Sequence, residues 1–432
     1  MAAVSVPGVP VAAKPERSKQ PPPQPTMSAS GRSSSCRRSG AFDRPSRASH
    51  LSPWPTEGDG AVVAQDRGPG CCEIPPTRYP ACHSSGPQLM VSACQHMGDR
   101  KTQEDRFKVA PCIESIDARL CAFFGVFDGT VGDFASDTVK DLVIPKLKES
   151  PNFLALRSLS KTSRKEAVDE DKLLEHAVRD MYSSTDNALL AACAEAKQHY
   201  ATCTGVTLLV LGNILVFGHV GDSRIVIGKE DFEGKLFGEQ ITMDHKPDQE
   251  SERTRIEQCG GMVERLQNHN NKPFIRGGDF MMRKALGEQP MQLQYSRAFG
   301  GKDLKMFGLS NVPDVRIIRM GSGAYRQVRW AILASDGLWD VLSAQQAVGF
   351  AETAVANGQN PAEELVRKVL LEQSRRRARA DNITAICVQF DDDHHVLSPL
   401  GQAPRASGDR PDRPDRPERG GGNRSSVTSA VA

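Results

Sequence analysis

No apolar run in this 432-residue chain approaches the ~20 consecutive positions that a membrane-spanning helix needs. No charge of one sign dominates either. The 55 Lys and Arg stand against 53 Asp and Glu, and a net charge of +2 without a basic stripe argues against a nucleic-acid partner. The N-terminus has no apolar core of a secretory signal, and Ala2 stands where myristoylation needs glycine. Acids are scarce in the first fifty residues, where only Glu16 and Asp43 occur. Organelle transit peptides share that bias, but the many prolines oppose the amphipathic helix such a signal forms. Eleven cysteines make an odd number for a disulfide framework. Cys121, Cys203 and Cys387 lie within or beside apolar runs and read as small buried hydrophobes. Cys71, Cys72, Cys82 and His83 fit no zinc spacing well. These absences leave a soluble protein, expected in the cytoplasm or nucleus and expected to be a monomer, with no membrane and no nucleic-acid partner.

What is present is organised in three parts. Residues 1–87 are rich in Pro, Ser, Arg and Gly without periodicity, the composition of a disordered tail. Residues 396–432, with a short Asp-Arg-Pro repeat between Asp409 and Pro417, read as a second disordered tail. The folded domain is expected over 88–395. Strands are predicted at Leu89–Cys94, Leu120–Phe127, Thr204–Leu211, Ile214–Val220, Ile225–Ile227, Leu236–Thr242, Trp330–Ala334 and Ile383–Phe390. Gly212-Asn213 between two of them is a two-residue hairpin signal. Helical spacing appears at Phe134–Leu147, around Leu173–Leu189, at Ala344–Ala356 and at Pro361–Gln373. Pro361 suits a helix start. Many strands with two early and two late helices indicate an α+β domain with helices covering sheets.

Acidic residues recur beside these strand-like runs in short motifs. They are Arg100-Lys101-Thr102-Gln103-Glu104-Asp105, Val126-Phe127-Asp128-Gly129, Gly221-Asp222-Ser223-Arg224, Ser335-Asp336-Gly337-Leu338-Trp339-Asp340 and Asp381-Asn382. Carboxylates at strand ends with glycine beside them suit hard divalent cations, which take oxygen ligands. A single Asp-Gly is also a common turn, and Asp222 reads equally as a turn residue after a strand. Asp340 reads as a helix cap rather than a ligand. Arg375-Arg376-Arg377 reads as a solvated basic face.

The order and spelling of these motifs, over roughly residues 88–392, resemble the metal-dependent Ser/Thr protein phosphatases, the PPM or type 2C family. Thr204-Gly205-Val206-Thr207, Asp244-His245-Lys246-Pro247 and Ser296-Arg297-Ala298-Phe299-Gly300 fall in the same family order. The resemblance implies two packed, mainly antiparallel β-sheets flanked by helices, with metals at one end of the sandwich. It implies that Asp128 bridges two Mn²⁺ or Mg²⁺ ions, that the Gly129 carbonyl is a ligand and that Glu104 binds the second metal, with Asp105 behind it. Asp336 would bind the first metal and Asp381 supply the final ligand, while Asp222 with Asp336 would hold a third, weaker ion. Arg100 would contact the phosphate of a phosphoprotein substrate, where a planar bidentate donor is favoured.

One catalytic position departs from the family pattern. Thr130 follows Asp128-Gly129 where the family has a histidine, its proposed general acid, and an aliphatic hydroxyl is far too weak an acid to replace it. Gly301 stands where an aspartate is usual, with Asp303 close by, and the polar stretch from Gln267 to Gln292 is expected to form a variable flap beside the site. His96 and His245 are the histidines that could stand in as the acid, but both read more readily as ordinary structural histidines. Two functions follow: a slow or specialised Mn²⁺/Mg²⁺-dependent phosphoprotein phosphatase, or a pseudophosphatase that binds phosphoproteins as a scaffold. Four carboxylates converging on one site repel one another without ions to neutralise them, and this favours the enzyme.

Overall fold

The nine residues of strand Arg119–Phe127 face two different cores. Cys121, Phe123 and Phe127 point to one, while Ala122, Phe124 and Val126 point to the other. A strand covered on both faces reads as a continuous apolar run, as this one does. The computed structural model describes residues 65–66, 71–79, 87–159, 167–267, 270–325 and 327–391. Among them, a five-stranded sheet runs in the order Asp314–Arg319, Ile214–Val220, Gly205–Leu211, Arg119–Phe127 and Arg106–Ile116. A seven-stranded sheet runs Gln65–Asp66, Cys71–Tyr79, Gln88–His96, Ile383–Asp391, Val328–Ala334, Arg224–Glu230 and Leu236–Gln240. Neighbouring strands are antiparallel in both.

The two sheets pack face to face over Leu89, Val91, Phe124, Val206, Phe217, Ile225, Leu333 and Ile386. Helices Phe134–Glu149, Pro151–Ser158 and Ala167–Glu195 cover the outer face of the five-stranded sheet. Helices Ala344–Ala356 and Pro361–Arg376 cover the outer face of the other, around Trp330 and Val366. This is the expected α+β sandwich. A small three-stranded sheet, Gly261–Leu266, Lys272–Gly277 and Gln292–Leu293, carries its own core with helix Glu250–Gln258. Its second strand falls inside the Gln267–Gln292 stretch expected as a flap, but its first strand precedes that stretch, so the flap is this small sheet with its core.

The sheet begins upstream of the boundary expected at residue 88. Cys71–Tyr79 pairs along Gln88–His96, and Ile74 is 1% exposed in the core between the sheets. Composition hid this strand because it contains Pro75-Pro76. The register shifts between Ile74 and Thr77, so the two prolines fall where the ladder is already broken. The remaining positions of both expected tails, with Cys82 and His83, lie outside the described residues. Cys121, Cys203 and Cys387 are buried free thiols, as expected. Helix Ala344–Ala356 is capped by Ser343 in a reciprocal box with Gln346, while Asp340 is the cap of a different helix: it closes the short helix Asp336–Trp339, its amide donating to the Asp336 and Leu338 carbonyls.

Candidate metal centre

Strand register brings the acidic motifs to one end of the sandwich. Phe127 lies opposite Arg106, so Asp128 leaves its strand beside the entry of Glu104-Asp105 into theirs. In the other sheet, Ala334 lies between Arg224 and Ala385, which aligns Asp336 with Asp222 and Asp381-Asn382. The link Gly221-Asp222-Ser223 joins the two sheets at this same end.

Small residues let the loops close. A Cβ on Gly337 would lie 2.0 Å from the Asn382 carbonyl oxygen and 3.4 Å from Asp381 Cβ, so only glycine lets the Asp336 turn lie against Asp381. A Cβ on Gly129 would lie 2.5 Å from the Glu104 carbonyl oxygen. Asn382 clamps the Arg100–Glu104 loop. Its Oδ1 accepts from the Glu104 amide at 2.8 Å, and its Nδ2 donates to the carbonyls of Met97 and Thr102 at 2.9 and 3.0 Å. Asp105 is buried beneath. Its Oδ2 accepts from Ser335 Oγ and Thr384 Oγ1, both at 2.7 Å, and its Oδ1 has no hydrogen-bond partner among the described residues.

The carboxylates at this end feel one another's charge. Burial, then the charges of Asp105, Asp336, Asp222 and Asp381, push the Asp128 carboxyl well above its ordinary range. Burial, then Asp222, Asp340 and Asp381, does the same to Asp336. Burial raises Asp105 to about 6 against the hydrogen bonds from Ser335 and Thr384. Crowded carboxylates resist ionisation unless cations sit among them. An all-oxygen donor set with an unpartnered buried carboxylate oxygen fits a hard divalent ion.

The other predicted residues are placed as follows. The Glu104 carboxylate accepts from the Gly132 amide at 3.0 Å and the Thr102 hydroxyl at 2.9 Å, and it is not among the charges that shift Asp128. Asp222 is buried and paired with Lys246 Nζ at 2.5 Å. Arg100, 59% exposed, lies 2.5 Å from Asp381. His96 and His245 both accept backbone amides on Nδ1, from Gly98 at 2.9 Å and Gly221 at 3.1 Å, which gives both a structural role. Asp303 faces the flap, where it takes Arg283 at 2.8 Å and the Met291 amide at 3.0 Å. Arg375 and Arg376 are exposed at a helix end beside Glu372, a solvated face as expected. His219, His245 and Asp314 also gather, but the two imidazoles stack nearly parallel at 4.4 Å, so their in-plane lone pairs do not converge on one ion.

Two contacts escaped sequence reasoning: Lys246 on Asp222, and the Tyr295 hydroxyl on Thr130 Oγ1 at 2.8 Å. The motif that carries Lys246 was legible, but nothing in it says that Lys246 reaches Asp222. The second contact joins residues 165 apart and had no signal.

A model of the family described as protein phosphatase 2C matches residues 89–383. The chain belongs to the protein phosphatase 2C family. Probable protein phosphatase 2C 71 of Arabidopsis thaliana is 32% identical over 293 residues, spanning 68% of this chain and 54% of that protein. Probable protein phosphatase 2C 59 of the same plant is 31% identical over 296 residues, spanning 68% and 78%. The crystal structure of a serine-threonine phosphatase 2C from Toxoplasma gondii is similar with a TM-score of 0.67 and 50% identity, covering 75% of this chain and 100% of that one.

Proposed function

We propose that this chain is a metal-dependent protein serine/threonine phosphatase that hydrolyses phosphoserine and phosphothreonine in proteins with water as nucleophile. The observation that carries this reading is the gathering of Asp128, Asp336, Asp222 and Asp381 at one end of the sandwich, where burial and the neighbouring carboxylates oppose the ionisation of Asp128 and Asp336. In this reading Asp128, the Gly129 carbonyl, Glu104, Asp336 and Asp381 hold two Mn²⁺ or Mg²⁺ ions, and Asp222 with Asp336 holds a third. Bound ions would supply an activated water and charge compensation for the phosphoryl oxygens. Arg100, exposed at the rim on a loop fixed by Asn382, is the guanidinium that grips the substrate phosphate.

Hydrolysis of an aryl phosphate and of a phosphothreonine peptide, each with Mn²⁺ and with chelator, tests the reading. Mn²⁺-dependent turnover that Asp336→Asn abolishes is expected; chelator-insensitive turnover, or none, would overturn it. Thr130 motivates a second reading, a pseudophosphatase that binds phosphoproteins without turnover. It predicts phosphopeptide binding with no release of phosphate from either substrate.

A further inference from the structure

Tyr295 lies two residues beyond strand Gln292–Leu293 and is 6% exposed, in the core formed with Ile256, Ile275, Leu293 and Leu309. Its hydroxyl leaves that core to donate to Thr130 Oγ1 at 2.8 Å. Thr130 is itself fixed. It pairs with Thr202, and the strand Thr202–Cys203 pairs in turn with Phe299–Gly300, four residues beyond Tyr295. Thr130 follows Asp128-Gly129 directly and is half-buried, and burial, then the charges of Asp128 and Asp222, hold the Tyr295 phenol well above its ordinary range against the hydrogen bond to Thr130. The pair therefore stands at the edge of the carboxylate cluster.

The direction of the hydrogen bond matters. Because Thr130 accepts from Tyr295, the Thr130 hydroxyl proton is free to point to a further acceptor. Two hydroxyls donating in series polarise each other. An aliphatic alcohol alone is too weak an acid to protonate a departing alkoxide; a phenol is ordinarily the stronger acid of the two, and its hydrogen bond to Thr130 Oγ1 places its proton on the path to the leaving oxygen.

We infer that Thr130 contacts the leaving oxygen of the phosphoester and that Tyr295, acting through Thr130, supplies its proton. As the P–O bond breaks, its electron pair passes to the seryl or threonyl oxygen. That oxygen takes the Thr130 hydroxyl proton while Thr130 takes the Tyr295 proton. The attacking water gives up one proton in becoming part of inorganic phosphate, and this proton restores the phenol, so no further reactant is needed. Thr130 is the contact group and Tyr295 the positioning residue behind it. The inference rests on the phosphatase reading above and adds the proton source for the leaving group.

The test compares an aryl phosphate, whose phenolate leaves unprotonated, with a phosphoserine peptide, whose alkoxide does not. With Mn²⁺ present, Tyr295→Phe should lower kcat on the peptide by about 10²-fold, with KM and the aryl kcat nearly unchanged. Thr130→Val should show the same split, and Thr130→Ser should restore the peptide rate. A hydrogen bond that merely anchors the flap would instead lower both rates equally and reduce the melting temperature. Equal losses, or an unchanged peptide rate in a folded variant, overturn the inference. Should Tyr295→Phe fail to fold, the Thr130→Val and Thr130→Ser pair decides by the same ratio. Wild-type protein that turns over neither substrate overturns the phosphatase reading and this inference together, whereas aryl turnover without the split overturns the inference alone.

Discussion

Replacing Glu252 by Gln removes the charge at the centre of the junction between flap and sandwich. Its side chain is 2% exposed, yet two guanidinium groups converge on it. Arg255 donates to both carboxylate oxygens, at 2.8 and 2.7 Å, and Arg297 Nη2 donates at 2.8 Å, with Ser296 Oγ also bonded. Breaking a buried ion pair by removing one partner costs roughly 3–5 kcal/mol. The lower end applies here because both cations keep other partners: Arg255 the carbonyls of Gly308 and Ser296, and Arg297 the Asp314 carboxylate. A loss of about 3 kcal/mol in a domain of this size lowers Tm by about 6 °C. The pH dependence gives a second check. The arginines and Ser296, outweighing burial, hold the Glu252 carboxyl down at about 2 in the folded protein. It titrates at about 4.3 when unfolded. The folded pKa is the lower one, so the stabilisation is complete above the unfolded value and is lost as pH falls through the folded one. Denaturant unfolding of wild type and Glu252→Gln at pH 7 and pH 3 should show a gap that narrows at the lower pH. A difference below about 0.5 kcal/mol at pH 7, or a gap that does not change with pH, would refute the reasoning.

Other consequences follow from single contacts. A fragment of residues 88–395 should melt below one of residues 65–395, because it lacks the Cys71–Tyr79 strand with buried Ile74 and the 2.5 Å bond from Asn360 to Glu73; equal melting curves would make that strand dispensable. Ile74→Ala in the longer fragment should account for about 2–4 kcal/mol of the loss in denaturant unfolding. Gly337→Ala should abolish Mn²⁺-dependent hydrolysis, since its methyl group would overlap the Asn382 carbonyl and separate Asp336 from Asp381; retained activity would mean that the loops need not touch.

Much of the sandwich was legible because its central strands are apolar on both faces and its long helices are amphipathic. Ile214–Val220 and Ala344–Ala356 were read with the bounds they have. The strands Arg106–Ile116 and Asp314–Arg319 were missed because they are sheet edges, and half-buried Lys108, Glu114 and Arg319 with exposed Arg316 break their apolar pattern. The flap was legible as a segment but not as a sheet, since Lys272–Gly277 is short and faces only a small core. At the site, four of the five acidic motifs stood out because glycine, serine or asparagine lies beside the carboxylate, and only the Arg100–Asp105 motif has none. The partners that complete the site were hidden. Nothing near Thr130 in the chain points to Tyr295, and nothing in the spelling of Asp222 says that Lys246 reaches it at 2.5 Å. Such pairings depend on the register of separate loops, which local pattern does not specify.

Calorimetric titration of Mn²⁺ into the metal-free protein, repeated on Asp128→Asn and paired with melting curves, tests the metal centre most directly. Two ions should bind tightly per wild-type chain and a third more weakly, with a stabilisation that grows with free Mn²⁺, reaching about 2.7 kcal/mol at a hundred times Kd for a single site. Asp128→Asn should lose both binding and stabilisation while melting no lower than wild type without metal, because it removes one of the crowded carboxylates. Wild-type protein that takes up no Mn²⁺ and melts identically with and without it would contradict the account.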